Sequence, residues 1–286
     1  MIDGWVITLV APHGQLSAEQ VTAVAAPLGA RIDWLAPHTA CDLFCDSVPA
    51  DFSITGADVF IQPAATRRKK ILLADMESTL IEQELLDELA VRRGVADEVR
   101  RITQQGMEGK ADFVQGLQAR MHLLRGTPLA DMQAVAAAAT LSAGAETLVR
   151  TLAAHGIPTW IVSSGLTVFT QAIAERLGID HHEGNVAGIT DDTLDGAVAT
   201  PVRDKFAKQE AVARAAQAVG GTAADVAAVG DGANDLLMLA ACGAGFAYRA
   251  KPVVADAARF RIQHSDLTAI LYAMGFRQSE FVVVSR

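Results

Sequence analysis

Ile71-Leu72-Leu73-Ala74-Asp75-Met76-Glu77-Ser78-Thr79 is the stretch that orders the rest of the chain. Four apolar residues in a row stop abruptly at an aspartate, as expected for a short strand buried on both faces. Two later runs have the same form. Trp160-Ile161-Val162 ends in Ser163-Ser164-Gly165, and Val226-Ala227-Ala228-Val229 ends in Gly230-Asp231-Gly232-Ala233-Asn234-Asp235. Helical spacing follows or separates them over 168–177, 205–219 and 235–241. Strands alternating with helices imply a parallel sheet with helices on both faces. Between the first and second runs the pattern is helical: Glu82 to Arg93 carries apolar residues at 85, 86, 89 and 90, and helical spacing continues to about 139. The expected fold class is α/β, a Rossmann-like parallel sheet with a helical cap inserted after its first core strand.

Upstream, residues 1–66 hold seven acidic residues and one basic residue, Arg31, and then Arg67-Arg68-Lys69-Lys70 follow at once. That change of composition marks a boundary. The basic run itself reads as a solvated lead-in to the next strand. Within the first segment, 5–10 is strand-like, 16–28 has helical spacing with Ser17 as a cap, and 31–35 and 58–61 are strand-like. The expected division is a small α+β module over 1–66, a catalytic core over 67–82 and 141–286, and a cap over 83–140.

Composition excludes several classes of function. At 286 residues with 51% hydrophobic and 20% charged residues, the chain is neither disordered nor fibrous. A net charge of −9 argues against broad phosphate neutralisation, so no nucleic-acid partner is expected. No stretch approaches the roughly 20 apolar residues of a membrane span. The opening MIDGWVITLVAPHG has no basic n-region, and the three cysteines, Cys41, Cys45 and Cys242, are too few for a disulfide framework. A cytoplasmic location follows as the expectation. His155, His181 and His182 show no metal-ligand spacing and read as solvated.

In open α/β sheets ligands bind beyond the carboxyl ends of the strands. If the three apolar runs are neighbours, one pocket collects carboxylates, a hydroxyl, an amide and, from the helix at 205–219, the ammonium of Lys208. That mixture suits phosphoryl transfer. Carboxylates alone would repel a phosphate, so a divalent cation is required, and Asp75 and Asp231 are the hard oxygen ligands that Mg²⁺ prefers. Lys208, Ser163 and backbone N–H groups would hold the phosphate oxygens, and one carboxylate could serve as nucleophile. The Gly230–Asp235 segment lacks the third glycine of a dinucleotide fingerprint and follows a late strand.

Taken in order, Asp75-Met76-Glu77-Ser78-Thr79, Ser163, Lys208 and Gly230-Asp231-Gly232-Ala233-Asn234-Asp235 resemble the motifs of the haloacid dehalogenase superfamily. Glu84, Met107-Glu108-Gly109-Lys110, Asp112-Phe113, Arg120 and Ala250-Lys251-Pro252 make the finer resemblance that of its phosphoserine phosphatases, over about 70–270. The first segment looks like the ACT-like module that precedes many bacterial members, which also suggests a homodimer.

The resemblance implies an Mg²⁺-dependent hydrolase acting on O-phosphoserine, the last step of serine biosynthesis. It implies Asp75 as nucleophile and metal ligand. Glu77 would be general acid and base, with its backbone carbonyl on the metal. Asp231 and Asp235 would complete or support the metal shell, and Ser163, Ser164, Lys208 and Asn234 would line the phosphate site. In the cap, Glu84 would face the substrate ammonium, Arg120 its carboxylate, and Phe113 and Met107 would close the pocket. Arg suits a carboxylate because its fork bonds both oxygens.

Two residues depart from the family pattern: Glu77 stands where an Asp is usual, and Ser164 where a Gly is usual. The longer acid leaves open a ligand sensor without turnover, and the family as a whole leaves open another small phosphomonoester as substrate.

Overall fold

The computed structural model describes residues 4–49, 51–107 and 112–283, the side chains of 106 and 107 excepted. The N-terminal module runs β1 (Trp5–Val10), α1 (Ala18–Ala25), β2 (Arg31–Ala36), β3 (Ala40–Cys45) and β4 (Asp58–Pro63). Its sheet is antiparallel in the order β2-β3-β1-β4. Ser17 caps α1 through a reciprocal bond pair with Gln20, as its sequence position predicts. Alternation sends Ile7, Leu9, Cys41 and Leu43 towards α1, while Val10, Ala36, Ala40 and Phe60 join the main core.

The remainder runs β5 (Ile71–Ala74), α2 (Leu85–Arg93), α3 (Ala96–Met107), α4 (Phe113–Leu123), α5 (Leu129–Ala138), α6 (Ala145–Ala154), β6 (Thr159–Leu166) and α7 (Thr167–Leu177). It continues with β7 (His181–Asn185), β8 (Ala187–Thr190), β9 (Thr193–Val198), α8 (Lys205–Ala218), β10 (Val226–Gly230), α9 (Leu236–Ala241), β11 (Ala244–Tyr248), α10 (Pro252–Ala257), β12 (Phe260–Ile262) and α11 (Ala269–Ala273). Six strands form a parallel sheet in the order β12-β11-β10-β5-β6-β7. Ile71 and Leu73 pack on one face with α8 and α9, and Leu72 and Ala74 pack on the other with α6, α7 and α11. The chain leaves β5 towards β6 and β7, then returns on its other side as β10, β11 and β12. That reversal beside β5 is where an open sheet leaves a crevice at its carboxyl end.

The helical insertion, α2 to α5, is held at a narrow neck. Ser142 N–H donates to Leu80 O at 2.9 Å and Glu82 N–H to Thr140 O at 3.0 Å, while the Gln83 amide clasps Thr140. This neck explains why α2 starts at Leu85 and not at Glu82. A second tether is the β8–β9 hairpin, whose Leu194 exchanges backbone bonds with Gly126 and Thr127 between α4 and α5. Among the described residues no helix is long and apolar enough to cross a membrane.

Three expectations need correction. The module holds a strand, β3, that its sequence does not announce, because Asp42 interrupts the apolar pattern. Asp42 is fully buried and bonds Thr8 Oγ1 at 2.7 Å and the Arg67 guanidinium at 2.6 Å. The basic run is likewise not a solvated lead-in. Arg67 pairs with Asp42, Arg68 lies 3.5 Å over the Phe276 ring, and Lys69, 5% exposed, donates to the carbonyls of Thr66 and Ala224 at 2.9 Å. The run thus joins module to core. Asp58 adds to this junction by accepting the N–H groups of Gln263, His264 and Ser265 at 2.8–3.0 Å. Nor are His181 and His182 free: His181 stacks on Trp160 and reaches Glu183 at 3.0 Å, and His182 meets Thr170 Oγ1 at 2.9 Å.

Candidate active site

β5 lies between β10 and β6, with Ala74 level with Val229 on one side and Ile161 on the other. This register brings the strand-end residues Asp75, Ser163 and Asp231 to one edge of the sheet. Asp75 is 5% exposed; its Oδ1 accepts from Met76 N–H at 2.8 Å and its Oδ2 faces Lys208 Nζ at 2.8 Å. Lys208, 1% exposed, projects from α8 and also donates to Asp235 Oδ1 at 2.7 Å. Asp235 is fully buried, and its second oxygen accepts from Gly232 N–H at 3.0 Å. Burial alone would lower the Lys208 pKa, but Asp235 and then Asp75 override it and hold the ammonium above its ordinary value.

Carboxylate oxygens of Asp75, Asp231 and Asp235 all lie within 4.8 Å of one another. Burial, then Asp235, pushes Asp75 well above the usual carboxylate range. Burial, then Asp235 and Glu84, raises Asp231 to about 6. Three carboxylates around one ammonium leave an excess of two negative charges when all are ionised. Hard oxygen donors with that excess fit a divalent cation, which would relieve the crowding that raises these pKa values.

The chain after Asp75 turns sharply. Ser78 adopts φ 55°, in the left-handed region few non-glycine residues enter. The turn aims three side chains in different directions. Thr79 Oγ1 donates to Asp231 at 3.2 Å, Ser78 Oγ donates to Glu84 at 2.7 Å, and Glu77 Oε1 accepts from Leu85 N–H at 2.7 Å. Burial first, and Glu84 second, raise the Glu77 carboxyl to about 8, which favours its neutral form.

At the end of β6, Ser163 is 2% exposed and its Oγ accepts from Gly165 N–H at 3.0 Å. Ser164 Oγ is buried with no hydrogen-bond partner among the protein groups described. Its carbonyl accepts from Asn185 Nδ2 at 2.7 Å, and Asn185 Oδ1 accepts from Arg203 N–H at 2.7 Å. Glu183, 7% exposed, in turn receives the guanidinium groups of Arg203 and Arg214 at 2.6 and 2.7 Å. Arg120, on α4, is half-buried; burial lowers its pKa while Asp87, Glu77 and Glu84 act to raise it. Asn234 is half-buried beside Asp235, and Phe113 packs half-buried against the main core. The side chain of Met107 and residues Glu108, Gly109 and Lys110 lie outside the described residues.

Four contributors were not singled out from sequence. Thr79 sat in a quoted motif without a role. Asp87, one helical turn beyond Glu84, is the further acid that acts on Arg120. Asn185 and Glu183, on the next strand, brace the β6 loop, and only strand order reveals that.

The sequence profile of the haloacid dehalogenase-like hydrolases matches residues 69–243. A phosphoserine phosphatase of Streptomyces coelicolor is 35% identical over 93% of this chain and 69% of its own length. One from Archaeoglobus fulgidus is 37% identical over 75% of this chain, which spans 63% of that protein. Among solved structures, a haloacid dehalogenase family hydrolase of Salmonella enterica serovar Typhi superposes with TM-score 0.86 at 30% identity, covering 95% of this chain and 98% of that one. A substrate-bound phosphoserine phosphatase superposes with TM-score 0.67 at 36% identity, covering 72% and 98%.

Proposed function

The chain belongs to the haloacid dehalogenase-like hydrolases, and we propose that it hydrolyses O-phospho-L-serine to L-serine and phosphate through a phosphoaspartate at Asp75. The observation that carries the reading is the buried cluster of Asp75, Lys208, Asp231 and Asp235, with the Glu77 carboxyl buried at the same strand edge. Relatives solved as a substrate complex and as a phospho-aspartyl intermediate analogue support it, each 36% identical.

The chemistry divides into two displacements. In the first, an Asp75 oxygen attacks phosphorus, the bond from phosphorus to the serine oxygen breaks, and Glu77 gives its proton to that oxygen. In the second, Glu77, now a carboxylate, takes a proton from water as the water oxygen attacks phosphorus. The acyl-phosphate bond breaks, phosphate leaves, and Asp75 and protonated Glu77 are restored. Lys208 and the Ser163 hydroxyl hold the non-bridging oxygens. Mg²⁺, held by Asp75, Asp231 and the Glu77 carbonyl with Asp235 in support, would neutralise charge on the transferring group. In the cap, Glu84 would receive the substrate ammonium and Arg120 its carboxylate. Phe113 and Met107 would help to exclude water, while Ser164 and Asn234 would border the phosphate.

The division that accompanies this function is a module over 1–66, a core over 67–82 and 141–286, and a cap over 83–140. The unbridged thiols of Cys41 and Cys45 suit a reducing, cytoplasmic setting. The test is phosphate release from phosphoserine with and without Mg²⁺. Wild type should turn over only with the cation, and Asp75→Asn should be inactive while keeping its melting temperature. Phosphate release by that variant at the wild-type rate would refute the mechanism.

A further inference from the structure

Glu77 is hydrogen-bonded on one side and fills a space on the other, and both features depend on its length. On one side its Oε1 accepts the first amide of α2, Leu85 N–H, at 2.7 Å. On the other, a Cβ built on Gly165 would stand 2.7 Å from Glu77 Oε2 and 3.2 Å from Ser163 Oγ. The space that any side chain at 165 would need is therefore filled by the second carboxyl oxygen.

Resting on the phosphatase reading above, the geometry points to glutamate as the functional acid at position 77, with Leu85 N–H and Gly165 as the groups that position it. Because Leu85 N–H can only donate, Oε1 is engaged as an acceptor, and Oε2 is the oxygen left open for proton transfer. Oε2 is the oxygen on the Ser163–Gly165 side, where the phosphoryl group binds. The cap's first helix thus selects which oxygen performs the proton transfer. Aspartate at this position, one methylene shorter, would lie about 4 Å from the Leu85 amide, beyond hydrogen-bond range. It would then be free to rotate and would leave the gap beside Gly165 open. In this chain the longer acid is a fitted replacement and not a lesion.

The experiment compares wild type, Glu77→Asp, Gly165→Ala and the double variant on phosphoserine with Mg²⁺. Melting temperatures and amide hydrogen exchange at Leu85 are followed alongside. Glu77→Asp should lower kcat by on the order of 10²-fold with little change in KM, because misplacement of a reacting group by about 1 Å has that effect. Exchange at Leu85 should quicken in Glu77→Asp and stay slow in Glu77→Gln, which keeps both length and acceptor. Gly165→Ala should cut kcat at least tenfold in the wild-type background and much less in the Glu77→Asp background, where the carboxyl has withdrawn. A kcat for Glu77→Asp equal to or above wild type would overturn the inference, as would an equal Gly165→Ala penalty in both backgrounds. Wild type that releases no phosphate from phosphoserine would instead refute the phosphatase reading, and the exchange comparison would still test the Leu85 anchor.

Discussion

Replacing Lys208 by Met tests the electrostatic heart of the site. The substitution preserves most of the side-chain volume and removes one charge. Lys208 is 1% exposed and contacts Asp75 at 2.8 Å and Asp235 at 2.7 Å, so its loss leaves two buried carboxylates without their ammonium. Removing one partner from a buried ion pair costs about 3–5 kcal/mol. With roughly 2.1 cal/mol/K of unfolding entropy per residue, this lowers Tm by about 5–8 °C for a 286-residue chain. The assay is thermal unfolding in EDTA, then with millimolar Mg²⁺.

In EDTA the loss should depend on pH in a definite direction. Burial and Asp235 already hold the Asp75 pKa above its ordinary value, and the missing ammonium moves it higher. A carboxyl whose folded pKa exceeds its unfolded pKa destabilises the fold above the unfolded value, and the penalty shrinks on acidification. The deficit of Lys208→Met should therefore narrow as the pH is lowered. Mg²⁺ should recover part of the deficit by supplying positive charge, while turnover should stay lost, since the phosphate contact proposed for Lys208 is gone. Equal Tm values in EDTA, or a deficit that widens on acidification, would refute this account of the cluster.

Three further outcomes are expected. Arg120→Ala should raise KM for phosphoserine by roughly 10- to 100-fold, the worth of a charge-assisted hydrogen bond, while leaving small phosphomonoesters without a carboxylate nearly unaffected; side-by-side kinetics decide this. Arg67→Ala strands the fully buried Asp42 and should destabilise the protein by about 3 kcal/mol or more, read by urea unfolding, with kcat for phosphoserine unchanged in the native range. Asn185→Ala, which frees the Ser164 carbonyl and the Arg203 amide, should lower kcat more than it lowers Tm, as measured by paired kinetics and melting curves.

Much of the architecture was legible because it is written locally. Short apolar runs that break off at Asp75, Ser163 and Gly230 can be read as buried strands without knowing their neighbours. The helical block after β5 shows in its own periodicity, and the strand-end motifs carry their chemistry in residue type. Strands that alternate with helices implied a parallel sheet, but only the strand order showed that the three runs are neighbours around one crevice. β3 was not legible, because Asp42 reads as a solvent-facing residue until Thr8 and Arg67 are seen around it. The basic run misled for the same reason: Arg67 and Lys69 are charged by composition and buried by partnership.

Within the site, residue types alone implied a magnesium-assisted phosphoryl transfer, because carboxylates and an ammonium at strand ends admit few other uses. The pairing of Lys208 with both Asp75 and Asp235, the bracing of Ser164 through Asn185, and the reach of Glu77 to the Leu85 amide were decided only by tertiary structure. Each joins segments distant in sequence or turns on a difference of about one methylene in length. Sequence spacing fixes direction along a strand or helix, whereas contact distances of this size depend on how separate elements pack.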